Sequence, residues 1–177
     1  IYMEQDNVVG HNTDIEGFEK AIEKINFKPF NKRIFILGAG GVVPSLIYAL
    51  KKLHVSKIII SNRTRQKAEN LRNSFPDLEI LDWGNLTDFD MIINANSLGL
   101  KKSDKFNLDF SKVRKNNFFY DVIYNPMETN FLKIGRQFGN ATENGKLMFI
   151  YQAIGAFNLW HKTRIKIDDQ VIKLLSI

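Results

Sequence analysis

The chain has 177 residues, no cysteine and a formal net charge of +6. The lack of cysteine excludes a disulfide scaffold, a cysteine-ligated zinc site and a thiol nucleophile, and a hydrophobic fraction of 44% argues against a disordered chain. No apolar run reaches the ~18 residues of a membrane span and no charged-then-apolar signal segment opens the sequence, so we expect a soluble, cytoplasmic domain without a membrane partner.

The first elements predicted along the chain are a β-hairpin and a helix. Two short β-prone runs, residues 1–4 and 8–9, flank turn-forming residues. Thr13 and Glu16 then have the spacing of a capping box, and apolar residues follow at helical spacing as far as Ile25. We therefore predict a hairpin followed by a helix that Thr13 caps.

Apolar runs and helical segments alternate over the rest of the chain. The run at 91–94 shows little polar alternation, which is typical of a strand covered on both faces. Strands separated by helices imply a parallel sheet with helices on both faces, so we predict a doubly wound α/β fold with about six strands. The predicted strands are 33–37, 57–61, 78–81, 91–94, 118–122 and a weak one near Ala141, and the later helices are about 42–53, 65–74, 128–138, 147–161 and 168–176.

A glycine-rich loop lies where the first of these strands meets its crossover helix. Glycine lets the chain turn tightly and lets the backbone approach a pyrophosphate, and the helix N-terminus offers unpaired N–H groups to the phosphates. Val43 stands at the third fingerprint position, where glycine or alanine is usual, so an ordinary strand-to-helix turn is the alternative. We predict a Rossmann-like dinucleotide site at Gly38, Ala39, Gly40, Gly41 and Val42.

The end of the next strand indicates which dinucleotide is bound. NAD enzymes carry an Asp or Glu about 20 residues after the glycines, which accepts a hydrogen bond from the ribose 2′-hydroxyl. Residues 62–67 contain no carboxylate but include arginine and lysine, and a guanidinium binds a 2′-phosphate bidentately. The sequence therefore predicts NADP(H) rather than NAD(H), with a solvated basic helix start as the alternative. The residues assigned to the 2′-phosphate are Asn62, Arg63, Thr64, which is also predicted to cap the next helix, and Lys67.

Six motifs follow one another along nearly the whole chain. They are Gly10-His11-Asn12-Thr13-Asp14, Gly38-Ala39-Gly40-Gly41, Asn62-Arg63-Thr64, residues 93–99, residues 120–126, and the stretch from Asn144-Gly145 through Met148 to Gln152-Ala153. This series resembles the shikimate dehydrogenase family. The resemblance implies NADPH-dependent reduction of 3-dehydroshikimate to shikimate, a step of aromatic amino-acid (chorismate) biosynthesis, in a cleft between a substrate domain and a cofactor domain.

The resemblance also implies how the chain divides. Residues 1–12 would be a remnant hairpin of the N-terminal substrate domain, 13–150 an NADP-binding Rossmann domain with a leading linker helix, and 151–177 C-terminal helices that bridge toward the substrate domain. Because the sequence begins Ile1-Tyr2-Met3, we expect most of the N-terminal domain, with the family's catalytic lysine, to be missing from this chain. We then expect NADPH binding with little or no turnover.

Three residues take substrate-side roles by this resemblance. Asp14 corresponds to the catalytic carboxylate that pairs with the lysine and hydrogen-bonds a substrate hydroxyl, Gln152 to a ligand of a substrate hydroxyl, and Tyr124 to a substrate-side tyrosine. Each has a plainer interpretation. Asp14 suits the first turn of a helix because of the macrodipole, Gln152 is an ordinary exposed glutamine on a helix, and Tyr124 is an aromatic packed beside Pro126.

Further cofactor contacts follow from the resemblance. Val122 and Gly145 would lie beside the nicotinamide and Met148 near it, although a helix methionine is more often part of a core. Asn96 stands at a cofactor-facing position where the family usually has threonine or serine, and Leu147 where it often has a second glycine. Neither departure removes a charged group, so we interpret both as tuning.

Two other functions stay open: a dehydrogenase for quinate or another cyclic hydroxy acid, and a non-catalytic NADP-binding module. We expect no metal site, because the three histidines share no metal-ligand spacing. We expect no nucleic-acid partner, because the lysines are dispersed rather than arranged in a stripe. The expected partner is a small-molecule substrate, and both a monomer and a homodimer are compatible with the sequence.

Overall fold

The computed structural model describes residues 1–101 and 103–174. It begins with an antiparallel hairpin, β1 (Tyr2–Glu4) and β2 (Asn7–Val9), followed by helix α1 (Thr13–Lys24). The elements that follow are β3 (Arg33–Leu37), α2 (Val43–Lys52), β4 (Lys57–Ser61), α3 (Arg65–Leu71), β5 (Glu79–Leu81), β6 (Met91–Asn94), β7 (Phe118–Asp121), α4 (Asn130–Gln137), β8 (Ala141–Glu143), α5 (Lys146–His161) and α6 (Asp169–Leu174).

Strands β3 to β8 form one parallel sheet in the order β5-β4-β3-β6-β7-β8. The central strands β3, β4 and β6 are almost entirely buried, as expected for apolar strands covered on both faces. The predicted Rossmann-like, doubly wound fold with about six strands is confirmed. The strand order reverses between β3 and β6, and in this fold such a switch point opens a crevice at the carboxyl ends of the strands.

The sheet separates two hydrophobic cores. Helices α1, α2 and α5 pack on one face, where the ring of Phe18 meets that of Tyr120 edge-on at 5.4 Å between centroids. Helix α4 and the 3₁₀ turn Phe110–Lys112 pack on the other face, where the rings of Phe119 and Phe131 lie 5.1 Å apart. Because a hydrophobic core covers each face of the sheet, the strand ends are held firmly. The loops that follow the strands are therefore well positioned.

The N-cap of helix α1 lies one residue earlier than predicted. It is Asn12, whose Oδ1 accepts a hydrogen bond from the Asp14 amide (3.0 Å) and whose Nδ2 donates to Ser45 Oγ of α2 (2.9 Å). Glu16 pairs with a lysine one turn further along the helix instead of reaching back to the cap. The prediction that Thr13 caps the helix was wrong, because asparagine is at least as good a cap and here also ties α1 to α2.

Other bounds differ from the predicted ones by a few residues, as is usual at element ends. Helix α3 ends at Leu71 instead of 74, and β7 at Asp121 instead of 122. Residues 175–176, predicted as the end of the last helix, lie outside the described residues. Helix α5 has 16 residues, and no helix in the described part of the chain combines the length and apolar character needed to cross a membrane.

Tyr120 gives a prediction about stability. Its hydroxyl is fully buried and has no hydrogen-bond partner among the described residues, and an unsatisfied buried polar group costs about 1–3 kcal/mol. We expect Tyr120→Phe to raise the free energy of unfolding by about 1 kcal/mol, measured by urea denaturation. Tyr48→Phe, at an exposed position, is the matched control. A marked loss of stability in Tyr120→Phe would show that the hydroxyl has a favourable role.

Candidate functional site

Two cavities open at the carboxyl ends of the strands. The first cavity, of about 270 Å³, lies over the ends of β3 to β6, and the second, of about 200 Å³, lies where the loop after β7 meets α1 and α5. The first is lined by Ala39, Gly40, Asn62, Arg63, Thr64, Lys67, Trp83, Ala95, Asn96, Ser97 and Leu98. The second is lined by Asp14, Val42, Val122, Tyr124, Gly145, Met148, Phe149 and Gln152.

The glycine loop between β3 and α2 needs its first glycine for two reasons. Gly38 has a φ of +126°, which L side chains rarely adopt, and a Cβ there would lie 2.5 Å from the carbonyl oxygen of Ala95 at the end of β6. At Gly41 a Cβ would meet nothing within 4 Å, and at Gly40 only Ala95 at 3.8 Å. The loop thus packs tightly on β6 at its start and is open above Gly40 and Gly41.

The start of α2 has the chemistry of an anion site. Its N-cap, Val42, has no side chain that could accept a hydrogen bond, and Pro44 stands in the first turn, as predicted. The amides of Gly40, Gly41 and Val42 make no hydrogen bond with any part of the chain that the structure describes. Free amides at a helix N-terminus, beside glycines with open space above them, fit the pyrophosphate of a dinucleotide.

Two cations at the end of β4 are available to a ligand, and a third is not. Arg65 is held by Glu69 at 2.7 Å and by Asp82. Arg63 and Lys67 line the first cavity and form no ion pair within residues 1–101 and 103–174. A 2′-phosphate bound there would therefore meet two unneutralised positive charges.

The loop between Arg63 and α3 is shaped by Asn62. Its Nδ2 donates to the carbonyl oxygen of Thr64 at 2.8 Å. Thr64 occupies the N-cap position of α3, but its hydroxyl makes no capping hydrogen bond, so the prediction that Thr64 caps the helix holds for its position and not for its side chain. Thr64 lines the first cavity, and its hydroxyl has no hydrogen-bond partner among the residues that the structure describes.

Asn96 uses its side chain to fix the loop after β6. Its Nδ2 donates to the Leu37 carbonyl oxygen at 3.2 Å, and its Oδ1 accepts from the Leu98 amide at 2.7 Å. These bonds join the end of β3 to the loop that follows β6. The Asn96 amide thus holds this loop in place beside the first cavity.

Asp14 and Gln152 reach the second cavity from two helices in close contact. A Cβ at Gly17 of α1 would lie 2.9 Å from both the Gln152 Cβ and the Met148 carbonyl oxygen, so glycine permits α5 to lie this near. The Asp14 carboxylate has no hydrogen-bond or ion-pair partner in the described residues. Gln152 lines the same cavity, and its side-chain amide likewise has no hydrogen-bond partner among the described residues.

Gly145 brings the loop after β7 against the start of α5. A Cβ at Gly145 would lie 2.0 Å from the Val122 carbonyl oxygen, which only glycine avoids. Met148 is buried one turn along the helix and also borders the second cavity. Leu147 packs against the core on the α1 face, so it has a packing role at the position of the family's second glycine.

Tyr124 stacks on Phe149 at the rim of the second cavity. The ring centroids are 4.4 Å apart and the planes differ by 19°, and both rings are partly exposed. Phe149 was not singled out from the sequence, because an aromatic residue on an apolar helix gives no local sign of what it touches. It supports the ring of Tyr124 from the α5 side.

Asp121, also missed by the sequence analysis, anchors the loop that carries Val122 and Tyr124. Its carboxylate is buried and accepts hydrogen bonds from Asn94 Nδ2 (3.0 Å), the Ile123 amide (3.0 Å) and Thr129 Oγ1 (2.6 Å). Burial raises the pKa of this carboxyl to about 6, although the three hydrogen bonds act in the opposite direction.

The raised pKa of Asp121 predicts how the free energy of unfolding depends on pH. The folded protein binds the Asp121 proton more tightly than the unfolded chain, so the resulting stabilisation is present below the unfolded pKa of 3.8 and is lost as the pH rises through about 6. From about pH 4 to about pH 7 we expect this group to lower the free energy of unfolding by about 2–3 kcal/mol. Asp121→Asn keeps the shape without the charge and should remove this part of the slope in urea denaturation. If the free energy of unfolding of the unmodified chain and of Asp121→Asn changed in parallel with pH, the prediction would be contradicted.

The structure brings the predicted residues together in two groups. The second cavity contains the three substrate-side candidates with Val42, Val122, Gly145 and Met148, and the first contains the residues assigned to the 2′-phosphate with Ala39, Gly40 and Asn96. Two of the predicted loop residues line neither cavity: Gly38, which packs beneath the loop, and Gly41. Trp83, in the first cavity, was missed, because its position depends on how β5 pairs with β4.

Comparison with known proteins points to one family. Residues 20–100 match the family described as shikimate / quinate 5-dehydrogenase. The shikimate dehydrogenase (NADP(+)) of Pelagibacter ubique is 53% identical over 177 residues, which are 100% of this chain and 67% of that protein. The crystal structure of shikimate dehydrogenase from Aquifex aeolicus matches with a TM-score of 0.86 and 31% identity, over 98% of this chain and 64% of that one. Quinate dehydrogenase from Corynebacterium glutamicum in complex with NAD matches with a TM-score of 0.80 and 28% identity, over 94% and 62%.

The chain thus spans about two thirds of the length of these relatives. The alignment with the Pelagibacter ubique protein covers every residue of the chain, and the fold agrees with it. The chain belongs to the shikimate dehydrogenase family.

Proposed function

We propose that this chain is the cofactor-binding part of an NADPH-dependent shikimate dehydrogenase, which interconverts 3-dehydroshikimate and shikimate. The observation that carries the proposal is the second cavity, where the free carboxylate of Asp14 and the amide of Gln152 lie with Val122, Gly145 and Met148. A substrate hydroxyl there would meet a hydrogen-bond acceptor and an amide within reach of the nicotinamide side.

NADP(H) is the cofactor that the first cavity favours. Arg63 and Lys67 supply two cations without ion-pair partners in the described residues, and no carboxylate lines that cavity. An acidic residue at this place would repel a 2′-phosphate, whereas a guanidinium binds it. The curated relative from Pelagibacter ubique carries the same specificity in its name.

The bound cofactor supplies the hydride, and the residues of this chain position the reacting hydroxyl. Oxidation of a secondary alcohol removes a hydride from carbon and a proton from oxygen. Asp14 would accept a hydrogen bond from a substrate hydroxyl and orient the lysine that the family resemblance assigns as proton carrier. Gln152 would bind a neighbouring hydroxyl, and the Tyr124 phenol would donate to the substrate from the cavity rim.

Contacts that helices α5 and α6 make with the first residues of the chain and with α1 support the proposed division into residues 1–12, 13–150 and 151–177. Trp160 Nε1 of α5 donates to the Ile1 carbonyl oxygen at 3.1 Å, beside the hairpin. Lys24 of α1 pairs with Asp169 of α6 at 2.5 Å. Helix α5 thus contacts the segment that we assign to the substrate domain, and α6 contacts the leading helix α1.

The test is a chimeric protein. The segment of the Pelagibacter ubique enzyme that precedes the aligned region is joined to this chain, and shikimate-dependent reduction of NADP⁺ is followed by absorbance. We expect turnover, a loss of about 10²-fold or more in kcat for Asp14→Asn, and no change for Glu16→Gln, two residues along the same helix. A chimera that binds NADPH but never oxidises shikimate would support a non-catalytic module instead.

A quinate-type activity is the second candidate, because the quinate dehydrogenase of Corynebacterium glutamicum has the same fold at 28% identity. The same assay separates the two substrates. A kcat/KM for quinate equal to that for shikimate would favour an enzyme that acts on both substrates.

A further inference from the structure

Trp83 is the aromatic residue among those that line the first cavity. It follows the end of β5 by two residues, is half-buried, and packs against the core on the α4 face, as does Leu98 from the loop after β6. Both residues also line the cavity. The core thus holds the indole in place, and the part of the ring that stays exposed is available to a ligand in the cavity.

A salt bridge joins the loop that carries Trp83 to the segment that carries the basic residues of the same cavity. Arg65, at the start of α3, pairs with Asp82, the residue before Trp83, and with Glu69. This bridge joins the segment of Arg63 to the segment of Trp83. Arg65 therefore positions the two segments relative to each other, while Arg63 stays available to a ligand.

The covalent structure of NADP(H) relates the basic residues of the cavity to Trp83. The 2′-phosphate and the adenine are attached to the same ribose, so a phosphate bound at Arg63 and Lys67 places the base within one sugar of that point. The same cavity is also lined by the apolar residues Trp83, Ala95 and Leu98. An apolar surface with an aromatic ring suits a flat heteroaromatic base and does not suit a second phosphate.

We propose that Trp83 binds the adenine of NADP(H) by stacking its indole against the base, an inference that rests on the proposed cofactor. Every base has a π face, and aromatic side chains stack on it. Because the core already holds the indole in place, little side-chain freedom is lost when the base arrives. Trp83 would thus contribute to affinity for the adenosine half and nothing to the choice between NADP(H) and NAD(H).

The fluorescence test uses the 177-residue chain itself, which has two tryptophans. In Trp160→Phe the only remaining tryptophan is Trp83, and 2′,5′-ADP is expected to quench its emission saturably. Inorganic phosphate lacks the base and should leave the emission unchanged. In Trp83→Phe the remaining Trp160 is 61% exposed and lines neither cavity, so its emission should not respond to 2′,5′-ADP.

Affinity provides the second test. Trp83→Phe keeps an aromatic face and should bind 2′,5′-ADP within about threefold of the unmodified chain, whereas Trp83→Leu should bind about tenfold more weakly. NADPH binding to the unmodified chain is measured separately by calorimetry. If NADPH does not bind, the proposed function fails and this inference with it. If NADPH binds, but 2′,5′-ADP leaves Trp83 emission unchanged or Trp83→Leu binds as tightly as Trp83→Phe, only the role of Trp83 is overturned.

Discussion

Replacing Gly38 by alanine is expected to lower the free energy of unfolding by about 3 kcal/mol. Two effects add at this position: an unfavourable φ of +126° and a Cβ that would lie 2.5 Å from the Ala95 carbonyl oxygen. This oxygen is a backbone atom directly after the central strand β6, so it cannot move aside without shifting the sheet. Urea denaturation measures the change, and the m-value shows whether unfolding stays cooperative.

Gly41→Ala is the matched control three residues away. A Cβ at Gly41 meets nothing within 4 Å and its φ is not positive, so its stability should change by no more than about 0.5 kcal/mol. Its methyl group would instead occupy space above the loop where the pyrophosphate is expected, and NADPH affinity should fall. If Gly38→Ala were as stable as the unmodified chain, or Gly41→Ala bound NADPH normally, the assignment of this loop would be wrong.

Replacing Arg63 by alanine is expected to weaken NADPH binding by about 10- to 100-fold and to leave NADH binding unchanged. Hydrogen bonds to a charged group contribute about 1.5–3 kcal/mol, which corresponds to this range of affinities. The structure explains why Arg63 carries the effect: it lines the first cavity and has no carboxylate partner among the described residues. Fluorescence titration of the variant with each cofactor measures both affinities.

Arg65→Ala tests whether NADPH selectivity depends on the position of Arg63 or only on the number of positive charges in this segment. Arg65 is two residues away and is neutralised by Glu69 and Asp82, so its loss should weaken NADPH and NADH binding to the same small extent. An Arg65→Ala variant that selectively lost NADPH would place the 2′-phosphate at Arg65. An Arg63→Ala variant that lost both cofactors equally would show a general structural role.

The strands could be anticipated from the sequence because burial on both faces leaves a local sign. The run at 91–94 has little polar alternation, and it became the central strand β6. The glycine loop was predictable for a related reason, since tight turning and close approach require the residue type itself. Helix caps were less predictable: Asn12 and Thr13 are both good caps, and the bond from Asn12 to Ser45 of α2 that accompanies the actual cap depends on tertiary packing.

Contacts between distant residues could not be read from the sequence. Arg65 has an acidic residue four positions later in the sequence, Glu69, but only the pairing of β5 with β4 brings Asp82 to it as a second partner. The burial of Asp121 and its three hydrogen bonds depend on β6, β7 and the start of α4 meeting at one point. Trp83 and Phe149 gave no local signal, because an aromatic residue in a core and one at a cavity look the same in sequence.

Titration calorimetry of the 177-residue chain with NADPH and with NADH tests the central claim most directly. We predict one binding site per chain and an affinity for NADPH at least about tenfold higher than for NADH, because the 2′-phosphate adds charged hydrogen bonds at Arg63 and Lys67. Equal affinities for the two cofactors, or no binding of either, would contradict the assignment of this chain as an NADP(H)-binding domain.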